Sequence, residues 1–196
     1  MLSSNFKAPV TRVITPIARA LLALHITPNI VTVVGALGSV CASVILVAHG
    51  HFLAGVLINV LLMLSDLLDG TMARLINGGT KWGAVLDSTL DRIADSALIL
   101  SLAYFLHLHN DRLLPLVLSA VIGGLLVPYI RARAESLGIE CSVGIAERTE
   151  RLIMVLAGIG LEGLGVDFAL AISMWILAIL SWITVFQRLN VVRISS

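Results

Sequence analysis

Between residues 29 and 187 the chain is a succession of long apolar runs, and no other feature limits its fold so strongly. The runs cover about 29–48, 52–74, 84–107, 113–134, 149–165 and 167–187. Most reach the roughly 20 residues that a helix needs to cross the hydrocarbon core of a bilayer. Polar or turn-forming breaks separate them at His49-Gly50-His51, at Asn77-Gly78-Gly79, and from His107 through Arg112. Hydrophobic residues make up 58% of the sequence and charged residues 13%, too few of the latter to cover a soluble surface. No linker, repeat or low-complexity stretch divides the chain. The expectation is one all-α integral membrane domain over 1–196, with six transmembrane helices within 29–187 and a tail from 188 to 196.

Arginine and lysine orient it. Lys7, Arg12 and Arg19 precede the first run, and Arg74 and Lys81 lie between the second and third. Arg131, Arg133, Arg148 and Arg151 surround the connection from the fourth to the fifth, and Arg188 and Arg193 follow the sixth. The opposite side carries only Arg112. The positive-inside rule places both termini in the cytoplasm, which requires an even number of crossings and supports the fifth run, cut short by Glu162.

Residues 1–25 read as an amphipathic helix on the membrane surface, not as a secretory leader, because Lys7, Arg12 and Arg19 interrupt any apolar core. Arg12 and Arg19 share one face; Val10, Val13, Ile14, Ile17 and Leu21 share the other. Pro16 is a candidate bend. Cys41 and Cys141 lie far apart and read as free thiols. A net charge of +1 argues against a nucleic-acid partner.

Five of the twelve acidic residues lie between Asp66 and Asp95, in or beside apolar helices. Each charge at a helix centre costs ~2.5–3.5 kcal/mol on insertion scales, so such a group needs a compensating cation. Asp66 and Asp69 are spaced i, i+3 and Asp87 and Asp91 i, i+4, so each pair shares a helix face. A short connection makes the two helices antiparallel neighbours and lets the four carboxylates converge. An oxygen-only set with no His or Cys favours Mg²⁺ or Mn²⁺ over zinc. Two bridged ions balance four carboxylates better than one, and such a pair suits displacement at phosphorus. Gly70, Ala73 and Gly83 keep the adjoining faces small, Arg74 offers a fork for phosphate, and Thr80 could cap a helix or bond a ligand. Helix packing and interfacial snorkelling are the plain alternatives for the small residues and for Arg74. Asp95 continues the same face one turn on and is left outside the catalytic set.

Written out, the segment is Asp66-x2-Asp69-Gly70-x2-Ala73-Arg74-x8-Gly83-x3-Asp87-x3-Asp91. It resembles the signature of the CDP-alcohol phosphotransferases at every fixed position. The resemblance implies a membrane enzyme in which an alcohol attacks the β-phosphorus of a CDP-linked lipid and CMP leaves. It implies that Asp66, Asp69 and Asp87 hold one metal ion, that Asp66, Asp87 and Asp91 hold a second, and that Asp91 is the general base. Gly70, Arg74 and Thr80 match nucleotide-contact positions, as do Asn29, Ile30, Val31 and Thr32 in the stretch Thr27-Pro28-Asn29-x-x-Thr32. That stretch also reads simply as a helix start with Asn29 as cap. Homodimerisation is a family expectation, and Gly35 and Gly38, or Gly123 and Gly124, would permit close helix contacts.

Arg131, Arg133, Arg148 and Arg151 suggest an acceptor with its own phosphate. The positive-inside rule alone would also put arginines there. Residues 129–135 and 147–153 resemble the corresponding stretches of the actinobacterial phosphatidylinositol phosphate synthases, with Arg131 where Lys is expected and Thr149 where Pro is usual. That resemblance implies CDP-diacylglycerol as donor and inositol 1-phosphate as acceptor, at the cytoplasmic side of the plasma membrane. Glycerol 3-phosphate, as in phosphatidylglycerophosphate synthases, is the alternative acceptor. From another class, a divalent-cation channel or transporter would also carry intramembrane carboxylates. His49, His51, His107 and His109 read as interfacial loop residues.

Overall fold

The structure, a computed structural model, describes residues 14–76 and 78–195, and among these there are helices and connecting turns but no strand. The helices are α1 (Ile14–Ala23), α2 (Pro28–Ile45), α3 (Phe52–Leu75), α4 (Lys81–Leu108), α5 (Leu114–Ser136), α6 (Arg148–Gly163) and α7 (Ala169–Ser195), with a short 3₁₀ turn at Val47–His49 after α2. Each apolar run of the sequence became a helix, displaced by a few residues at its ends. Among the described residues four segments are long and apolar enough to cross a membrane: Pro28–His49, Phe52–Leu75, Leu114–Ser136 and Ala169–Ser195. Helix α4 has the length, with 28 residues, but Asp87, Asp91, Arg92 and Asp95 interrupt its apolar character. Helix α6 has only 16 residues, ending where Gly165 turns the chain at φ +78°.

Two details depart from the sequence reading. The last helix does not give way to a tail at 188 but runs to Ser195; no Gly or Pro interrupts it, and Arg188 is buried within it. Thr27, not Asn29, caps α2: the Ile30 N–H donates to Thr27 Oγ1 at 3.4 Å, and Pro28 follows as first helical residue. In α1, Ile14 and Ala18 are buried and Ile17 is 48% exposed. Lys7, Val10, Arg12, Val13 and Asn77 lie outside the described residues.

The residues group into two compact units. The first runs up to Ser43 and resumes at Leu57–Ala94; the second comprises Val44–Val56 and the chain from Asp95 on. Within the first, α2 packs antiparallel on α3 through small residues. A Cβ on Gly35 would overlap the Ser65 side chain, and one on Gly38 would come within 3.2 Å of Leu62. Both glycines are thus used inside the chain. Ser39 donates to Asn59 Oδ1 at 2.5 Å, and Asn59 donates to Ser43 Oγ at 3.3 Å, so the polar groups between these apolar helices satisfy one another.

Within the second unit, Val127 and Ile130 of α5 and Val185 of α7 form a core flanked by Leu126 and Trp182. The Trp182 indole N–H donates to Ser119 Oγ at 2.9 Å, and Gly123 lets α5 approach Ser181. Gly158 of α6 does the same against Ser173 of α7, whereas Gly124 faces open space. Phe52 meets Phe105 edge to face at 4.8 Å. Apolar side chains such as Leu61, Leu64, Trp175, Ile179 and Phe186 point outward. In water each would forgo much of the ~1.5–3 kcal/mol that burial supplies; hydrocarbon removes that penalty. The chain is a helical membrane protein.

Gly50 ends the first span with φ +81° while the Phe105 ring lies 2.8 Å from where its Cβ would stand. Gly165 also has positive φ, but nothing crowds it. Gly50→Ala therefore combines backbone strain with overpacking and should cost about 2–4 kcal/mol, against about 1–2 kcal/mol for Gly165→Ala. Thermal unfolding in detergent micelles should rank them in that order.

Candidate functional site

The end of α3 and the start of α4 carry Asp66, Asp69, Asp87 and Asp91, all within the first unit. Asp69 is 7% exposed and lies under the charges of both Asp66 and Asp87. Thr32 of α2, also 7% exposed, donates its hydroxyl to Asp69 Oδ2 at 2.5 Å. Asp66, Asp87 and Asp91 are half-buried. Thr32, expected as a nucleotide contact, has its hydroxyl on an acidic residue of the signature.

Around this centre the other signature positions find their reasons. Thr80 caps α4, accepting the Gly83 N–H at 2.9 Å. Gly83 lacks a side chain where Asn29 Oδ1 comes to 3.0 Å from the place of a Cβ, so the start of α2 meets the first turn of α4. Arg74 Nη2 donates to Thr71 Oγ1 at 3.0 Å, and Thr71 in turn donates to the Leu67 carbonyl, which steadies the guanidinium along α3. A Cβ on Gly70 would meet nothing within 4 Å, leaving room beside Asp69. Ile30 is exposed and Val31 half-buried. Asn29, Thr32, Asp69, Thr80 and Gly83 are thereby brought together.

Among the described residues no three His, Cys, Asp or Glu side chains gather as a metal-binding group. The residues nonetheless suit a divalent ion. The donors are carboxylate oxygens on two short helical spacings, Asp69 is held in place by a hydroxyl, and two further negative charges act on it. A hard cation is the group that chemistry of this kind attracts.

The second unit holds the arginines. Arg131 Nε donates to Glu135 Oε1 at 2.8 Å along the exposed end of α5, and Arg133 is exposed near Ser136. Arg148, first residue of α6, forks onto Asp95 with Nε–Oδ2 at 3.0 Å and Nη2–Oδ1 at 3.2 Å. Arg151 Nη1 donates to the Ala146 carbonyl at 2.9 Å. Sequence reasoning missed Arg188, which it read only as a cytoplasmic charge. It is 3% exposed, and its guanidinium donates to the carbonyls of Val143 and Val127 at 2.8 and 2.6 Å. The signal was available: Arg188 continues the buried face of α7 formed by Met174, Leu177, Ser181 and Thr184. The Ala146 N–H also donates to Thr184 Oγ1 at 3.2 Å, so α7 ties down the connection between α5 and α6.

Residues 25–187 match the CDP-alcohol phosphatidyltransferase family. The phosphatidylinositol phosphate synthase of Mycobacterium tuberculosis is 42% identical over 95% of this chain and 88% of its own length. That of Corynebacterium glutamicum is 38% identical over 96% and 88%. The crystal structure of the M. tuberculosis enzyme with CDP-DAG bound is similar with a TM-score of 0.88 and 41% identity, over 92% of this chain and 94% of that one. The structure of the same enzyme in complex with manganese and citrate gives a TM-score of 0.86 at 42% identity, over 91% and 88%.

Proposed function

This chain belongs to the CDP-alcohol phosphatidyltransferase family, and from that premise we propose that it transfers the phosphatidyl group of CDP-diacylglycerol to inositol 1-phosphate, forming phosphatidylinositol phosphate and CMP. The observation that carries this is the placing of the signature residues in one unit, with Asp69 buried and held by Thr32. Structures of the M. tuberculosis relative with CDP-DAG bound and with manganese support the donor and the use of a divalent metal. Family membership sets the channel reading aside.

Two ions, Mg²⁺ or Mn²⁺, would be held by Asp66, Asp69, Asp87 and Asp91, and when bound they supply charge neutralisation at the pyrophosphate. Asp91 accepts the proton of the acceptor hydroxyl as that oxygen bonds to the β-phosphorus. The phosphoanhydride bond breaks and CMP carries away its electron pair. Arg74 steadies the donor phosphates, while Gly70, Thr80 and the Asn29–Thr32 turn shape the nucleotide side. Arg131, Arg133, Arg148 and Arg151 take the acceptor phosphate. Six crossings, an interfacial N-terminal helix, both termini in the cytoplasm and a homodimer in the plasma membrane complete the proposal. The weakly apolar α4 and α6 cross with the other four in a single membrane domain.

The test offers purified protein CDP-diacylglycerol with inositol 1-phosphate, free inositol, glycerol 3-phosphate or serine. Inositol 1-phosphate should give lipid product and CMP, EDTA should abolish both, and Mg²⁺ or Mn²⁺ should restore them. Product from glycerol 3-phosphate alone would replace the acceptor. Turnover with free inositol equal to that with its phosphate would remove the role given to the arginines.

A further inference from the structure

The first turn of α6 is electrostatically unusual. A helix N-terminus carries partial positive charge and favours anions. Here it presents Arg148 and Arg151, spaced i, i+3 on one face, with Glu150 as its acidic residue. Asp95 of α4 supplies a further anion from 53 positions away in sequence. Its two oxygens meet Nε and Nη2 of Arg148 side-on, at 3.0 and 3.2 Å, the planar fork that fixes a guanidinium in direction as well as distance. The side chains are 26% and 37% exposed, so the pair is not a freely solvated surface contact.

Arg151 feels the same carboxylate. Asp95 and Glu150 are the opposite charges that offset those of Arg188 and Arg148 around it. Arg151 Nη1 donates to the Ala146 carbonyl, and the Ala146 N–H donates to Thr184 Oγ1. The Arg151 head therefore has a fixed backing, while its helix is fixed at Arg148. All these contacts lie within the second unit.

We propose that Asp95 is a positioning residue for the acceptor phosphate: by clamping Arg148 it fixes the first turn of α6 and so aims Arg151. The inference rests on the reading that these arginines bind the acceptor. It divides their labour, with Arg148 as the link and Arg151 as the group presented to phosphate. Neither Asp95 nor the clamp takes part in the proton transfer, so the effect belongs to acceptor binding.

Asp95→Asn keeps the shape of the side chain and removes its charge. It should raise the acceptor KM about tenfold, the usual scale of coupling within one ion-pair network, leaving the donor KM within about twofold. Asp95→Glu should recover most of the loss. Combining Asp95→Asn with Arg148→Gln should cost no more than the worse single change, since both break one link. Thermal unfolding provides a readout without turnover: inositol 1-phosphate and inorganic phosphate should stabilise the unsubstituted protein and Asp95→Glu, and Asp95→Asn much less. Equal stabilisation of the unsubstituted protein and Asp95→Asn, or equal shifts in both KM values, overturns the positioning role alone. No stabilisation of the unsubstituted protein by either phosphate overturns the acceptor reading itself, and this inference with it. If Asp95→Asn does not fold, Asp95→Glu and Arg148→Lys carry the test: an acceptor KM unmoved by Arg148→Lys, which keeps the charge but loses the fork, counts against the clamp.

Discussion

Asp91→Asn should leave the helices intact and lower CMP release by about 10²–10⁴-fold, the range that general acid–base catalysis contributes. The residue lies one turn beyond Asp87 on α4, half-buried. Asn and Asp have similar helix propensity and nearly the same volume, so the substitution removes proton affinity and a ligand charge without disturbing packing. Circular dichroism should be unchanged while single-turnover CMP release from CDP-diacylglycerol collapses. Activity within threefold of the unsubstituted protein would dismiss Asp91 as base and as ligand together.

Thr32→Val is the second large effect. Hydroxyl and carboxylate are both 7% exposed and 2.5 Å apart. Val keeps the β-branched shape and removes the hydroxyl that faces Asp69 at 2.5 Å and the Pro28 carbonyl at 3.1 Å. A bond to a charged group is worth ~1.5–3 kcal/mol, so turnover at limiting metal should fall about ten- to a hundredfold. The Mg²⁺ concentration for half-maximal activity should rise, and Thr32→Ser should restore it. A rise in the CDP-diacylglycerol KM with metal dependence unchanged would return Thr32 to the nucleotide contact that its motif suggests.

These two predictions mark what a sequence of this kind discloses. Apolar runs bounded by His49-Gly50-His51 or His107–Arg112 announced their helices because a bilayer imposes a length and a composition on each span. The four Asp residues stood out because charge there is costly without a partner. Periodicity along one helix could group Asp66 with Asp69 and Asp87 with Asp91. It could not say that Thr32 donates to a residue 37 positions on, that Asp95 binds Arg148 across 53, or that Arg188 reaches Val127 across 61. Such partners are chosen by packing of separate helices. Gly35 and Gly38 illustrate the same limit: small residues promise a close neighbour without naming it, and the neighbour is α3. The anchoring contacts of Arg188 were missed because one rule of charge placement already accounted for it.

That buried guanidinium also has a consequence for how the protein is made. The segment between α5 and α6 takes its shape from Arg188 at Val143 and from Thr184 at Ala146, both on α7. A chain emerging from the ribosome reaches these anchors last among the helices described, after every other span has been synthesised. The stretch between Ser136 and Arg148 must therefore wait, unfixed, for a helix translated some forty positions later. A tag or cleavage placed before Arg188 would leave it so.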